Sequence, residues 1–156
     1  DGAIGDALAV ATAAACHEAI GALDRLLAIT LDYTRLRTQF GQPIARFQVN
    51  QHKLVDMYTS IELSRTMAAA AAEHADAASA TRTAVLSAAK AQVGASCRLV
   101  GEHAIQLHGG IGMTQECSAS HYFRRLFAVD KRLGDRHHHL GVLAAAIAAG
   151  ADTLYA

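Results

Sequence analysis

DALAVATAAACHEAIGALDRLLAITLDYTRLR, residues 6–37, contains the longest uninterrupted helical pattern of the chain. Alanine fills much of it, and alanine loses the least side-chain entropy in a helix. The larger apolar residues recur at helical spacing, at Leu8, Ile20, Leu23, Leu27 and Leu31. This pattern predicts one long α-helix over about 7–37, with Asp6 as its N-cap.

Shorter segments with the same pattern follow this helix. Gly41 and the only proline, Pro43, predict a loop over 39–43. Further helices are predicted over 47–74, 81–107, 118–129 and 134–150, with a turn over 75–80. Because the connections are short, neighbouring helices should be antiparallel. We predict an all-α protein with an up-and-down four-helix bundle and no β-rich segment.

Two of these helices carry apolar residues that we expect to face the core. In the second helix they are Val49, His52, Leu54, Val55, Tyr58, Ile61, Leu63 and Met67. In the last helix they are Leu140, Leu143 and Ile147.

The composition excludes several classes of protein. With 156 residues the chain fits one domain, and its 14 basic and 14 acidic residues create no net field for nucleic acid or an anionic membrane. Cys16, Cys97 and Cys117 are odd in number and widely spaced, which indicates free thiols in a reducing compartment. Charged residues interrupt the apolar stretches, and no signal sequence precedes them. We expect a cytoplasmic protein without a membrane span.

The first loop whose residue types suit ligand binding is the segment from Arg37 to Gln48. Arg37 offers a planar fork suited to phosphate, Phe40 a face for a ring system, and Gly41 a close backbone approach. These parts suit a nucleotide. The residue types equally fit an Arg37 paired with an acid and a Phe40 that plugs the core.

The second loop runs from Gln106 to Gly112. A side-chain amide precedes the adjacent glycines Gly109 and Gly110, whose N–H groups could approach a polyphosphate. The alternative is a helix C-cap with a flexible turn. A Rossmann site is excluded because the glycines follow a helix and lack the G-x-G-x-x-G spacing.

Together the two loops closely resemble motifs of the acyl-CoA dehydrogenase family. The pattern Tyr-x-x-x-Arg-x-x-Phe-Gly-x-x-Ile-x-x-x-Gln stands here at Tyr33 to Gln48, and Gln-x-x-Gly-Gly-x-Gly at Gln106 to Gly112. The segment from Tyr122 to Arg125 is similar to the family's approach to the active site, so the resemblance covers nearly the whole chain.

The resemblance implies that residues 1–156 are a single helical C-terminal domain, without the N-terminal helical and middle β domains of the parent protein. It implies a tetramer with FAD across a subunit boundary and an acyl-CoA substrate bound by the full-length parent. The cofactor-binding residues that it implies are Arg37, Phe40, Gln48, Gln106, Leu107, His108, Gly109 and Gly110.

The catalytic carboxylate is the residue that the resemblance does not supply. Desaturation of an acyl-CoA needs a base for the α-proton while hydride leaves the β-carbon for the flavin. The family's usual base position holds Leu133, followed by the matching Gly134, and an alternative position holds Ala11. Asp130 and Asp135 flank Leu133 and would serve only after a shift of register.

Glu18 is a further candidate, about two helical turns from Ala11. The string around Leu133 resembles the small-subunit type of the family, especially pimeloyl-CoA dehydrogenase small subunits. We therefore assign no catalytic residue to this chain and expect a partner subunit, in a homo- or hetero-oligomer, to supply the base. The isolated domain should be inactive and bind FAD weakly or not at all.

The histidines do not predict a metal site. His137, His138 and His139 are consecutive, so on a helix they point about 100° apart and cannot share one ion. We expect them at a solvated or interface helix start, and His103 and His108 at polar edges without a role in proton transfer.

Two other functions fit parts of the sequence. A non-catalytic helical interaction domain would explain the alanine-rich helices and the missing base, yet not both loops at once. A flavoenzyme of different chemistry on the same scaffold remains open, because related proteins change their reaction through active-site substitutions.

Overall fold

The computed structural model describes residues 2–77 and 79–149. Two short antiparallel strands pair Thr38 with Pro43 and Gln39 with Gln42. A 3-10 turn at Ile44–Arg46 precedes the second helix, and another at Gly109–Met113 follows the third. The strands and the α-helices of the described residues are α1 (Gly2–Leu36), β1 (Thr38–Gln39), β2 (Gln42–Pro43), α2 (Gln48–Glu73), α3 (Ser79–His108), α4 (Ser118–Lys131) and α5 (Arg136–Ala148).

Polar contacts between helices fix the directions of α1, α2 and α3. Arg65 of α2 pairs with Asp24 of α1 at 2.7 Å, and Ser64 of α2 donates to Ser96 of α3 at 2.7 Å. The connections from α1 to α2 and from α2 to α3 are short, so each helix begins near the end of the one before it. These two contacts lie further along both helices of each pair, which makes the neighbours antiparallel. It follows that α1 and α3 are parallel.

The parallel pairing of α1 and α3 is visible at both ends of the two helices. At their N-terminal ends Asp6 pairs with Arg82 at 2.6 Å. At their C-terminal ends the hydroxyl of Tyr33 donates to the carbonyl of His108 at 3.2 Å. The two helices therefore stay in contact over most of their length.

The fourth arm of the bundle is broken into α4 and α5. Phe123 of α4 lies against Gly101 of α3, and Asp130, near the end of α4, lies against Gly94. His139 of α5 contacts Ser87, still nearer the start of α3. Both short helices thus run antiparallel to α3, and the predicted all-α, up-and-down four-helix bundle is confirmed.

The core forms where α1 and α3 meet the other helices. Burial of each large aliphatic side chain stabilises the fold by about 1.5–3 kcal/mol relative to exposure. The fully buried aliphatic side chains come from every arm of the bundle and include Leu23, Leu26, Met57, Ile61, Val93, Val100, Leu126 and Val129.

One local prediction was wrong, and a second was incomplete. Asp6 is not an N-cap, because α1 already begins at Gly2 and Asp6 faces Arg82 from inside the helix. The 39–43 loop is part of a small β-hairpin, since two residues with positive φ turn the chain tightly enough for the flanking residues to pair. The predicted turn over 75–80 and the predicted last helix include residues 78 and 150, which lie outside the described residues.

The predicted inner faces were only partly right. In α2, Ile61 is buried, whereas Val49, Val55, Tyr58 and Leu63 are 52–63% exposed. The reason is that α2 contacts α1 and α3 along one side, so fewer of its apolar residues are buried than the sequence predicts. In α1, Leu8 is half exposed, and in α5 both Leu140 and Ile147 are exposed.

By length and composition alone, α1 could cross a membrane, with a mean hydropathy of 1.3 over its most apolar 18 residues. The central helix of a water-exposed bundle meets the same criteria, and α1 has twelve buried residues in contact with its neighbours. The finding is therefore weak evidence for a membrane span.

Gly101 tests the close contact between α3 and α4. A Cβ at this position would lie 2.6 Å from Cδ2 of Phe123. We expect Gly101→Ala to lower the free energy of unfolding by about 1–3 kcal/mol, because the rigid ring must move. Gly21→Ala is the matched control, since nothing lies within 4 Å of its Cβ, and it should stabilise α1 by about 0.5–1 kcal/mol. Urea unfolding of both variants measures the change in the free energy of unfolding. Equal changes in the two variants would contradict the close contact between Gly101 and Phe123.

Candidate cofactor site

The first predicted loop is a tight hairpin that points away from the core. Phe40 and Gly41 occupy its two central positions with φ of 52° and 79°. Positive φ at both positions is the signature of a type I′ turn, and a bulky aromatic residue is strained there. The ring of Phe40 is 92% exposed and meets Phe47 edge-on, with 6.1 Å between ring centroids. Phe40 is therefore not a core plug.

Arg37 lies at the base of this hairpin and is exposed. Its carbonyl accepts from the N–H of Ile44 at 2.8 Å, which closes the loop. Among the described residues no carboxylate pairs with its guanidinium. The Arg37–acid pair that the sequence left open is thus not formed, and the guanidinium faces outward beside Phe40.

The start of α2 holds the other side of the loop in place. The side chains of Asn50 and Gln51 donate to the carbonyls of Ile44 at 2.8 Å and Ala45 at 3.1 Å. Gln48 is the first residue of α2 and is exposed. The hairpin and the first turn of α2 therefore form one ordered surface.

The second predicted loop begins where α3 ends. Gly109 takes φ of 66° and starts a 3-10 turn, and nothing lies within 4 Å of a Cβ built at Gly109 or Gly110. Gln106 and both glycines are exposed. The loop is a helix C-cap, which was the alternative to a phosphate cradle, and it also leaves open space beside two glycine amides.

Leu107 and His108 differ from their neighbours because both side chains are buried. The prediction of His108 as a polar edge residue was therefore wrong. Its Nδ1 donates to the carbonyl of Ala104 at 2.8 Å, one turn back along α3. Burial leaves these two residues only their backbone groups for contact with a cofactor.

A ring stack joins the two loops. The ring of Tyr33, one helical turn before Arg37, lies on the ring of His108 with 4.4 Å between centroids and 23° between planes. The hydroxyl of Tyr33 also donates to the carbonyl of His108. The structure thus brings the end of α1, just before the first loop, against the start of the second loop, and no local pattern in the sequence signals this contact.

The turn between α4 and α5 carries the position where the family pattern expects its base. Leu133 has φ of 62° and Gly134 has φ of 95°, so both lie in the left-handed region. A side chain at Gly134 would also collide with His138 at 2.5 Å, which leaves glycine as the residue that fits. Leu133 is partly buried against the core.

The acidic residues near Leu133 are engaged in other contacts. Asp135 caps α5, accepting from the N–H of His138 at 3.1 Å and from Lys131 at 3.0 Å. These two hydrogen bonds lower the pKa of its carboxyl to about 2. A carboxylate so strongly ionised is a poor proton acceptor at neutral pH.

Glu18 is also engaged, whereas Oδ1 of Asp130 is buried without a hydrogen-bond partner among the described residues. The carboxylate of Asp130 packs over Gly94 and fills the space that a Cβ at that glycine would need. Glu18 of α1 pairs with Arg132 at 2.5 Å and with Arg125. Burial raises the pKa of Glu18, but the hydrogen bonds and charges of the two arginines outweigh it and leave the pKa below its ordinary value.

His139 was placed wrongly at a solvated helix start, because its side chain is buried while His137 and His138 are exposed. Its Nε2 donates to the carbonyl of Leu133 at 2.9 Å, and its Nδ1 lies 3.3 Å from the hydroxyl of Ser87. Across residues 2–77 and 79–149, no three His, Cys, Asp or Glu side chains are grouped to hold a metal.

Comparison with known proteins places this helical bundle in a family. Residues 2–150 match the family described as "Acyl-CoA dehydrogenase, C-terminal domain". The chain therefore belongs to the acyl-CoA dehydrogenase family, in which it corresponds to the C-terminal domain.

Individual relatives agree with this assignment. Acyl-CoA dehydrogenase IpdE2 of Mycobacterium tuberculosis is 39% identical over 125 residues, which cover 80% of this chain and 36% of the relative. The structure of the Tcur3481-Tcur3483 steroid ACAD G363A variant is 31% identical, with a TM-score of 0.87, and the match covers 92% of this chain and 40% of that one. The chain thus spans about two fifths of the length of these relatives.

A third structure bears on the cofactor. PigA with FAD and proline is 25% identical with a TM-score of 0.81, and the match covers 90% of this chain and 37% of that one. Related proteins with this domain therefore include one solved with bound FAD. None of these three names includes pimeloyl-CoA, so the resemblance to that subtype stays a prediction.

Tyr33→Phe tests the link between the two loops. The variant keeps the ring stack on His108 but loses the hydrogen bond to its carbonyl. We expect the free energy of unfolding to fall by about 0.5–1.5 kcal/mol, the usual net value of one hydrogen bond. Tyr58→Phe is the control, because Tyr58 is exposed. Chemical denaturation measures both, and an unchanged stability of Tyr33→Phe would show that the hydroxyl contributes nothing.

His139 predicts how stability depends on pH. Burial lowers the pKa of His139 below the ordinary value of 6.5, so the unfolded chain binds the proton more readily. Its contribution to stability is present above pH 6.5 and is lost as the pH falls from there toward the folded-state pKa. We expect His139→Gln to flatten this part of the unfolding curve measured from about pH 7.5 to about pH 5, and exposed His137→Gln to leave it as in the wild type. If the stability of His139→Gln depends on pH in the same way as that of the wild type, the lowered pKa of His139 is contradicted.

Proposed function

We propose that this chain is the FAD-contacting and oligomerisation domain of an acyl-CoA dehydrogenase, and that a partner subunit supplies the catalytic base. The observation that carries the proposal is the stack of Tyr33 on His108, which brings the end of α1, followed by exposed Arg37 and Phe40, against the end of α3, followed by two open glycines. The full-length parent protein would catalyse α,β-desaturation of an acyl-CoA, with FAD as the hydride acceptor.

The surface has the donors that a dinucleotide needs. A guanidinium such as that of Arg37 binds phosphate oxygens through two parallel hydrogen bonds, and the exposed ring of Phe40 offers a flat apolar face. Backbone N–H groups at Gly109 and Gly110 would cradle phosphate oxygens, with the amides of Gln48 and Gln106 beside them. We expect Leu107 and His108 to contribute backbone contacts and to hold this surface in place.

The missing base is supported by the state of each nearby carboxyl group. Leu133 and Ala11 occupy the two positions that the family pattern gives to the base, and neither can accept a proton. Asp135 caps a helix, Asp130 packs over Gly94, and Glu18 pairs with two arginines.

Exposed apolar side chains support the assembly role. They lie on α2 and α5 and include Val55, Tyr58, Leu63, Leu140 and Ile147. A contiguous exposed apolar surface usually marks an interface with another protein. We propose that these helices face other subunits in a homo- or hetero-tetramer.

The cysteines fit a reducing, cytoplasmic compartment. Burial raises the pKa of Cys16 to about 11 and that of Cys97 to about 12, so both thiols stay protonated and unreactive at neutral pH. No disulfide joins the three cysteines, all of which lie in the described part of the chain. We propose a cytoplasmic location on this basis.

The test uses the full-length gene product, purified alone and after co-expression with a base-bearing partner. We expect a yellow protein with bound FAD, no desaturation of acyl-CoA alone, and activity after co-expression. Arg37→Ala should lower FAD affinity at least about tenfold, the effect of losing one charge-assisted contact. Arg35→Ala is the matched control, because Arg35 is an exposed arginine two residues earlier.

Two results would count against the proposal. A colourless tetramer would favour the non-catalytic interaction domain. Strong desaturation by the protein alone that is lost in Asp135→Asn would place the base at Asp135 after all. Analysis of the products from several acyl-CoAs separates desaturation from another flavin reaction, and the relative solved with FAD and proline is the reason to include that control.

A further inference from the structure

Lys90 of α3 is the largest of the fully buried side chains among the described residues, with 1% exposure. Its Nζ donates to the carbonyl of Asp130 at 2.8 Å and to the carbonyl of Gly134 at 2.9 Å. A buried ammonium group is tolerated only where hydrogen bonds replace its lost water. The first acceptor lies in the last turn of α4 and the second in the connection to α5, so both hydrogen bonds of the lysine hold this part of the chain.

The two carbonyls bracket the residues with left-handed backbone. Asp130 lies in the last turn of α4, where carbonyls have no helical partner and a positive charge is favourable. Gly134 lies just beyond Leu133, on the far side of the turn. Lys90 therefore ties the end of α4 to the start of α5 across the strained residue Leu133, which has φ of 62°.

Other residues complete the fixation of this turn. His139 donates to the carbonyl of Leu133, so three carbonyls of the connection are held by buried side chains. Gly94 lets Asp130 approach α3 closely enough for the contact with Lys90. Left-handed backbone at a residue such as leucine persists only when its surroundings over-determine it, and these contacts meet that condition.

We propose that Lys90 is a positioning residue that fixes the backbone at Leu133, the position that the family pattern gives to the base, and with it the side of the acyl-CoA site that this turn would form. The proposal rests on the proposed function only for the substrate; the fixation of the turn stands on the structure alone.

The experiment compares Lys90→Met with Lys53→Met in the full-length protein. Methionine has nearly the length of lysine and no donors, and Lys53 is a partly exposed lysine of α2, away from the turn between α4 and α5. Amide hydrogen exchange over residues 132–139 reports the turn, and exchange in α1 and α2 reports the rest of the bundle. Titration with butyryl-CoA and pimeloyl-CoA, followed by flavin absorbance, reports the pocket.

In Lys90→Met we expect exchange over residues 132–139 to accelerate at least about tenfold, as for local opening of a loosened segment, while α1 and α2 keep their protection. The dissociation constant for a bound acyl-CoA should rise at least about tenfold, with FAD content unchanged. Lys53→Met should match the wild type in all three measurements.

Unchanged exchange over residues 132–139 would overturn the proposal, and so would faster exchange with unchanged acyl-CoA affinity. If Lys90→Met does not fold, Lys90→Gln, which retains one donor group, is measured instead. Loss of helical circular dichroism in both would also overturn it, because Lys90 would then be needed by the whole bundle. If the wild type carries no FAD, the proposed function fails, and the exchange measurement alone decides whether Lys90 fixes the turn.

Discussion

Close approach to α3 is the constraint on which the rest of the structure depends. Every other α-helix of the described residues packs on α3, and two of its glycines lie where a side chain of the opposing helix needs the space. Gly101 admits the ring of Phe123, and Gly94 admits the carboxylate of Asp130. With bulkier residues at these positions α4 would move outward, and the end of α4 would no longer reach Lys90.

The same helix organises both regions that concern function. Its C-terminal end carries His108, which stacks on Tyr33 and so joins the two candidate cofactor loops. Its N-terminal half carries Lys90 and Ser87, which hold the connection between α4 and α5. One rigid helix thus sets the distance between the two candidate cofactor loops and the turn at Leu133, and rigid elements place a site more accurately than loops do.

Local patterns could be predicted from the sequence, whereas contacts between distant segments could not. The spacing of Leu23 predicts a buried helix face without knowledge of its partners, and Leu23 is buried. Val55 follows the same spacing but is exposed. Periodicity shows that a helix face is apolar, but it does not show whether another element covers that face. The candidate site divides in the same way. A motif pointed to exposed Arg37, but the contact between Tyr33 and His108 joins residues 75 positions apart and had no local signal.

The backbone geometry of the turn at Leu133 does not depend on the side chain at residue 133. Its left-handed backbone is fixed by the missing side chain of Gly134 and by the donors of Lys90 and His139, and none of these depends on the side chain at residue 133. A carboxylate at that position would therefore meet the same backbone as Leu133 does. Under the proposed function, a chain with leucine in place of the base would lose proton transfer while the turn and the bundle persist, and such a chain could still complete an active site in an assembly.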